Sequence, residues 1–140
     1  MTPERNVELV RKMYDLINTK QLAEMAQYIS PGLQRHDLVG AYPEVAGSEA
    51  MDFLGRLLRG APDLHGRIED VFGAEDKVTA RVVMEGTHEG DLFGQPGSGK
   101  QFAVNMINIY RFDDAKVAES WQLVDFAGFL RQIGADGKPA

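Results

Sequence analysis

The first apolar stripe of the chain has a helical period: Val7, Val10, Met13, Tyr14 and Ile17 recur every three or four residues between charged positions. Thr2, Pro3 and Glu4 give this stripe a helix start, with a capping hydroxyl, a proline and an acid in the first turn. Tyr14 therefore falls on the side of the first helix that is to be buried. A second, short helix is expected over about residues 22–29, closed by Ser30, Pro31 and Gly32. Ser48 opens a third, whose apolar face is Met51, Phe53, Leu54, Leu57 and Leu58 and whose stop is Gly60.

After these helices the period changes. The segments RIEDVFG, KVTARVVMEGTHEG, QFAVNMINIYRF and VAESWQLV are rich in Val, Ile, Phe and Tyr and read as strands. The last two flank the tight turn DDAK, residues 113–116, and a short apolar helix follows Asp125. Helices first and strands second predict an α+β fold, in which three N-terminal helices cover one face of a curved antiparallel sheet. No repeat or linker interrupts the pattern, so residues 1–140 are expected to form one domain.

Composition acts mainly by exclusion. A net charge of -6 and a pI near 5.0 oppose binding to nucleic acid, because each phosphate contact would work against the field of the whole protein. The absence of cysteine removes disulfides, thiol chemistry and thiolate zinc sites. No run approaches the ~20 apolar residues of a membrane span, and the N-terminus mixes charges into its apolar stretch, so a soluble cytoplasmic protein is expected. His36, His65 and His88 fall in no metal-binding spacing, and no metal is expected. Gly94, Gly99 and Lys100 fit the glycine and lysine spacing of a phosphate loop, but a strand follows where that loop requires a helix, so a hairpin loop is the better reading.

Candidate chemistry centres on Asp125, which Leu123, Val124, Phe126 and Phe129 surround in sequence. Removed from water, its carboxyl would be tuned for proton transfer near neutral pH; as the residue before a helix, it would equally serve as an N-cap. If the 113–116 turn pairs Phe112 with Val117, Trp121 lies opposite Asn108 and Asp125 opposite Val104, on one pocket-like face; a one-residue bulge would undo that pairing. In Leu33-Gln34-Arg35-His36-Asp37, strand alternation allows either Gln34 with His36 or Arg35 with Asp37 to point inward. His88 ends a strand and faces either a cavity mouth or solvent, and His65 reads as a loop residue.

The segments LVRKMYDLIN, LQRHD, EGTHEGDLFGQPGSGKQF and INIYRFDDAKVAESWQLVDFAGFLRQIG, in this order, resemble the SnoaL-like polyketide cyclases, members of the nuclear transport factor 2-like superfamily. The resemblance covers roughly residues 5–134 and implies a cone-shaped α+β barrel around a cavity. It also implies a cofactor-independent intramolecular aldol ring closure on an apolar, carbonyl-bearing substrate. Asp125 would then be the general acid/base, His36 a catalytic donor, and Tyr14 and Gln34 substrate-binding residues beside Asn108, Trp121 and His88. Tyr14 and Asp37 also resemble the tyrosine and base of ketosteroid isomerases of the same superfamily, a reading that needs Asp37 inward and His36 outward. A third reading is a non-catalytic small-ligand-binding or dimerisation module. Under each, the second face of the sheet needs cover, and a homodimer or higher homo-oligomer is expected. Relatives usually carry glycine where the turn has Ala115, a substitution that costs about 1 kcal/mol if that residue is left-handed.

Overall fold

A computed structural model describes residues 2–38 and 49–135 of the chain. Helix α1 spans Pro3–Asn18, capped by the Thr2 hydroxyl, which accepts from the Arg5 N–H at 3.1 Å. A four-residue helix α2, Leu22–Met25, and a 3₁₀ turn, Ala26–Tyr28, lead into strand β1, Ile29–Asp37. Helix α3 spans Ala50–Gly60; Ser48, its expected opening residue, lies outside the described residues. Strands β2 (His65–Ala74), β3 (Lys77–Thr87), β4 (Gln101–Asp113) and β5 (Lys116–Val124) follow, and helix α4, Phe126–Ile133, closes the fold.

The five strands form one open sheet in the order β1-β5-β4-β3-β2. All pairings are antiparallel except β1 with β5, which is parallel, so the sheet is mixed. Ser30, Pro31 and Gly32 do not end a helix; they lie within β1. An edge strand tolerates proline there because its missing N–H falls where the register with β5 is interrupted, between Ile29 and Gln34.

The helices pack on the inner face of the sheet, against Val78, Ala80 and Val82 of β3, Phe102, Val104 and Met106 of β4, and Val117 and Val124 of β5. Leu9, Val10, Met13, Tyr14, Leu16 and Ile17 of α1 bury the stripe that the sequence pattern marks. Gly66 permits a close approach, since a Cβ there would stand 2.8 Å from Tyr14 Cδ1. Asn18 fixes the same place, donating to the Gly66 carbonyl at 2.9 Å and accepting from its N–H at 2.7 Å. Tyr14 is thus held against β2 by backbone as well as packing.

The β4–β5 hairpin turns through Asp114 and Ala115, both left-handed, with φ of 50° and 62°. The turn pairs Phe112 with Val117, as the sequence predicts, but the register shifts immediately, and Arg111 faces Glu119. Ala118 is the extra residue, and it reverses the face of every later position of β5 relative to a simple ladder.

Candidate functional site: a cavity between α1, α3 and the sheet

The inner face lines a cavity of about 140 Å³. Its wall is mostly aliphatic and thioether side chains, with Tyr14 from α1, Arg35 from β1, Asn108 and Tyr110 from β4, and Ser120 and Gln122 from β5 as its polar members. Alternation explains the set. Leu33 is buried in β1, so Arg35, two residues on, shares its face; Asn108 and Tyr110 are likewise two apart on β4.

Tyr14, Tyr110 and Asn108 form a closed triangle. The two phenol oxygens lie 2.7 Å apart, and Asn108 Nδ2 donates to each at 3.1 Å. Proton counting fixes the arrangement. Were the Asn108 oxygen in place of the nitrogen, both phenol protons would point to it and none would remain for the short phenol–phenol contact. With the nitrogen there, the amide supplies two protons and one phenol the third. The second phenol proton stays unengaged within the triangle, available to an incoming oxygen. Asn108 Oδ1, in a residue only 3% exposed, has no hydrogen-bond partner among the described residues. An unsatisfied buried acceptor costs about 1–3 kcal/mol and marks a place where packing has yielded to something else.

Burial pushes the Tyr14 phenol above its usual value of 10.0, against the opposing hydrogen bonds from Tyr110 and Asn108. Tyr110 is pushed well above 10.0, first by burial and then by Tyr14, with the Arg35 charge opposing the shift. Both phenols are therefore neutral donors at neutral pH. The Arg35 guanidinium stands 5.0 Å from the Phe53 ring centroid and donates to Gln122 Oε1. Gln122 in turn points its amide at Met106 Sδ, 3.7 Å away.

The expected site residues separate into two groups. Tyr14 and Asn108 meet in the cavity, and Arg35, Tyr110, Ser120 and Gln122 join them. His36 does not enter it: its Nε2 lies 2.8 Å from Glu119 Oε2 on the outer face, and its ring stacks on Trp121 at 5.5 Å. The inward placement of His36 is therefore corrected, and Gln34, on the same face of β1, is exposed. Trp121 is corrected with them, because the bulge at Ala118 sets it opposite Ile109 and puts Gln122 opposite Asn108. Asp37 shares the Arg35 side of β1 but is not part of the cavity wall.

Asp125 is likewise not opposite Val104. It is exposed, beside Asn105, Ile107 and Leu123 on the outer face, and its Oδ1 accepts from the Gly128 N–H at 2.9 Å as the N-cap of α4. His88 is buried and works in the 88–100 loop: Nδ1 accepts from the Ser98 N–H at 3.3 Å, so Nε2 carries the proton and donates to the Gln95 carbonyl at 2.9 Å. Gly99 and Lys100 lie in or next to that loop, immediately before β4, and not at the start of a helix. Tyr110, Ser120 and Gln122 carry no signal that the sequence reading used, and Arg35 enters it only as the inward alternative to His36. Tyr110 follows from Asn108 by strand period alone; Gln122 required the bulge.

Among the described residues no group of three or more His, Asp and Glu side chains could hold a metal ion, and no helix is long and apolar enough to cross a membrane. The cavity wall itself has no carboxylate or imidazole among those residues. Its chemistry is that of neutral donors and one cation, a set suited to hold a carbonyl oxygen or an enolate beside a largely apolar wall.

Comparison with known proteins gives a consistent picture. The chain is 30% identical over 142 aligned positions to the aklanonic acid methyl ester cyclase DauD of Streptomyces sp. (strain C5), covering 96% of this chain and 83% of the relative. It is 29% identical to the aklanonic acid methyl ester cyclase DnrD of Streptomyces peucetius, covering 91% and 90%. Among solved structures, AclR, a candidate hydroxylase from Streptomyces galilaeus, superposes with a TM-score of 0.84 at 22% identity, covering 95% of this chain and 98% of that one, which speaks to the fold alone. The family profile of the SnoaL-like polyketide cyclases matches residues 7–133, and the helices of the chain pack on an open five-stranded sheet. The chain belongs to the SnoaL-like polyketide cyclase family.

Proposed function

We propose that the chain closes a ring in an apolar, carbonyl-bearing polyketide without a cofactor, by holding the reacting oxygen at the Tyr14–Tyr110–Asn108 triangle. The observation that carries this reading is the closed Tyr14–Tyr110–Asn108 triangle in the cavity wall, whose proton count leaves one phenol proton for an incoming oxygen. In an intramolecular aldol closure, a carbon flanked by carbonyls loses a proton to water or to a neighbouring substrate oxygen. The resulting enolate attacks a second carbonyl carbon, and the new alkoxide takes up a proton, so atoms balance and no redox partner is needed. Negative charge passes through oxygen in both intermediates. A neutral phenol donor and the Arg35 guanidinium stabilise such an oxygen as its charge develops.

Size sets a limit on what enters. An apolar cavity of 150 Å³ holds benzene, so this one, near 140 Å³, takes roughly one six-membered ring. The reacting ring, not a whole polycycle, is what it would enclose. Since DauD and DnrD are aklanonic acid methyl ester cyclases, that ester is the first substrate to offer.

The experiment follows ring closure of aklanonic acid methyl ester by the wild type, Tyr110→Phe and Asn108→Leu. One hydrogen bond to developing charge is worth roughly 1.5–3 kcal/mol, so Tyr110→Phe is expected to lower kcat/KM by about 10- to 100-fold. A folded Tyr110→Phe with wild-type turnover would remove the triangle from the reaction.

A further inference from the structure

A second void lies beside the first on the same inner face. It measures about 60 Å³, and its wall includes Leu64, Phe102, Val104, Val124 and Phe129, all buried. Met84 and Met106 line both spaces and are the partition between them. The partition is soft. Methionine is unbranched and repacks at little cost, and the hydrogen bond from Gln122 to the Met106 sulfur is long at 3.7 Å.

Native interiors leave few voids larger than a water molecule, and an apolar wall offers water no partners. A space of this kind, opening by two methionines onto the polar cavity, is suited to receive carbon. Benzene in 150 Å³ assigns on the order of 25 Å³ to each carbon, so 60 Å³ corresponds to about two. Distance along β4 sets the geometry: Val104 in the small void, Met106 at the partition and Asn108 in the triangle are successive inward positions of one strand. A ring whose oxygen meets Asn108 and its tyrosines therefore directs a substituent on its far side toward Val104.

We propose that the small void is a specificity slot for a short saturated substituent, about two carbons long, on the ring that occupies the main cavity, entered by displacement of Met84 and Met106. This inference rests on the proposed function for the placement of the ring oxygen. It makes Val104 and Val124, far from the polar groups, determinants of substrate choice.

The test uses acetophenone and its 4-methyl, 4-ethyl, 4-propyl and 4-butyl homologues as probes of the intact chain, with Kd and methyl chemical shifts of Met and Val read by NMR. Burying a methylene is worth about 0.8 kcal/mol, or fourfold in affinity. The expected result is a roughly fourfold gain for each of the first two carbons, shifts at Met84, Met106, Val104 and Val124, and no gain or a loss by butyl. Val104→Ala should move the optimum to a longer chain and Val104→Ile to a shorter one. A flat series, shifts that avoid Val104 and Val124, or no binding of any homologue at millimolar concentration would overturn the slot. Tyr110→Phe separates this from the function it rests on. If it weakens acetophenone while the series is flat, the slot fails and the carbonyl site stands; if it leaves acetophenone unchanged while the fourfold steps persist, the slot stands and the carbonyl site fails.

Discussion

Asp125 and Gly128 offer a sharp test, because the same pair of residues separates a helix cap from a working acid. Asp125 Oδ1 accepts from the Gly128 N–H at 2.9 Å, and a Cβ at Gly128 would stand inside contact distance of the Asp125 carboxylate. Replacing an N-cap aspartate with alanine costs about 1 kcal/mol, which for a chain of this size lowers Tm by roughly 3–4 °C, whereas asparagine keeps all but a few tenths. Gly128→Ala has two opposed effects: it gains up to about 0.9 kcal/mol of helix propensity and displaces the carboxylate from its cap. In the wild type these nearly cancel. In an Asp125→Ala background no cap remains to lose, so Gly128→Ala should stabilise by the full propensity and return the double variant close to wild-type stability. The expected coupling is about 1 kcal/mol, measured as urea midpoints of the four proteins at neutral pH. Additive effects, with Gly128→Ala stabilising both backgrounds alike, would refute the cap. The kinetic arm is Asp125→Asn in the ring-closure assay. A folded variant that loses more than a hundredfold in kcat, about 2.7 kcal/mol of barrier, would make Asp125 part of the chemistry and a cap second.

Three further outcomes follow from the geometry. Ala115 sits at φ 62°, so Ala115→Gly should raise stability by about 1 kcal/mol in thermal unfolding; a lower Tm would mean that the hairpin does not hold this residue left-handed. Glu119 is held below its usual 4.5 by its hydrogen bond to His36 and then by Arg111, so the stability it contributes is fully present above 4.5 and is lost as pH falls below that toward the depressed native value. Glu119→Gln should flatten the acid side of a urea-midpoint profile; an unchanged profile would show that the outer-face cluster carries no linkage. Tyr14 and Tyr110 are both raised, so their contribution is complete below the usual 10.0 and is lost as pH rises beyond it. Tyrosinate absorbance should lag behind that of free tyrosine in the wild type and lose the lagging part in a Tyr14→Phe/Tyr110→Phe variant, and full ionisation at the ordinary pH would place the phenols in water.

What the sequence disclosed divides along a physical line. Periodicity within an element needs no knowledge of its neighbour, and it located Tyr14 on the buried stripe of α1, the strands of the second half and the tight turn before β5. Pro31 and Gly32 misled because local punctuation was stronger than local propensity, and only the position of β1 at the sheet edge allows them in a strand. The parallel pairing of β1 with β5 left no local signal either, since residues 29–37 and 116–124 meet across most of the chain. Leu33 was the usable clue for β1: an apolar residue facing inward carries Arg35 with it and turns His36 out.

The same division explains which site residues were found. Asn108 was placed on the inner face through a supposed pairing with Trp121, yet its position follows from β4 alone, where Phe102, Val104, Met106, Asn108 and Tyr110 alternate inward without interruption. Trp121 depended on counting across the turn, and one unpaired residue, Ala118, sent it outward and brought Gln122 to face Asn108. A hairpin fixes its first pair by turn geometry and each later pair by the assumption that no bulge intervenes, so error grows with distance from the turn while intrastrand alternation stays true. Chemistry assigned to β5 was therefore the most exposed to a single insertion. The polar end of the cavity rests instead on a helix stripe and one uninterrupted strand, and for that reason Tyr14 and Asn108 were legible and Gln122 was not.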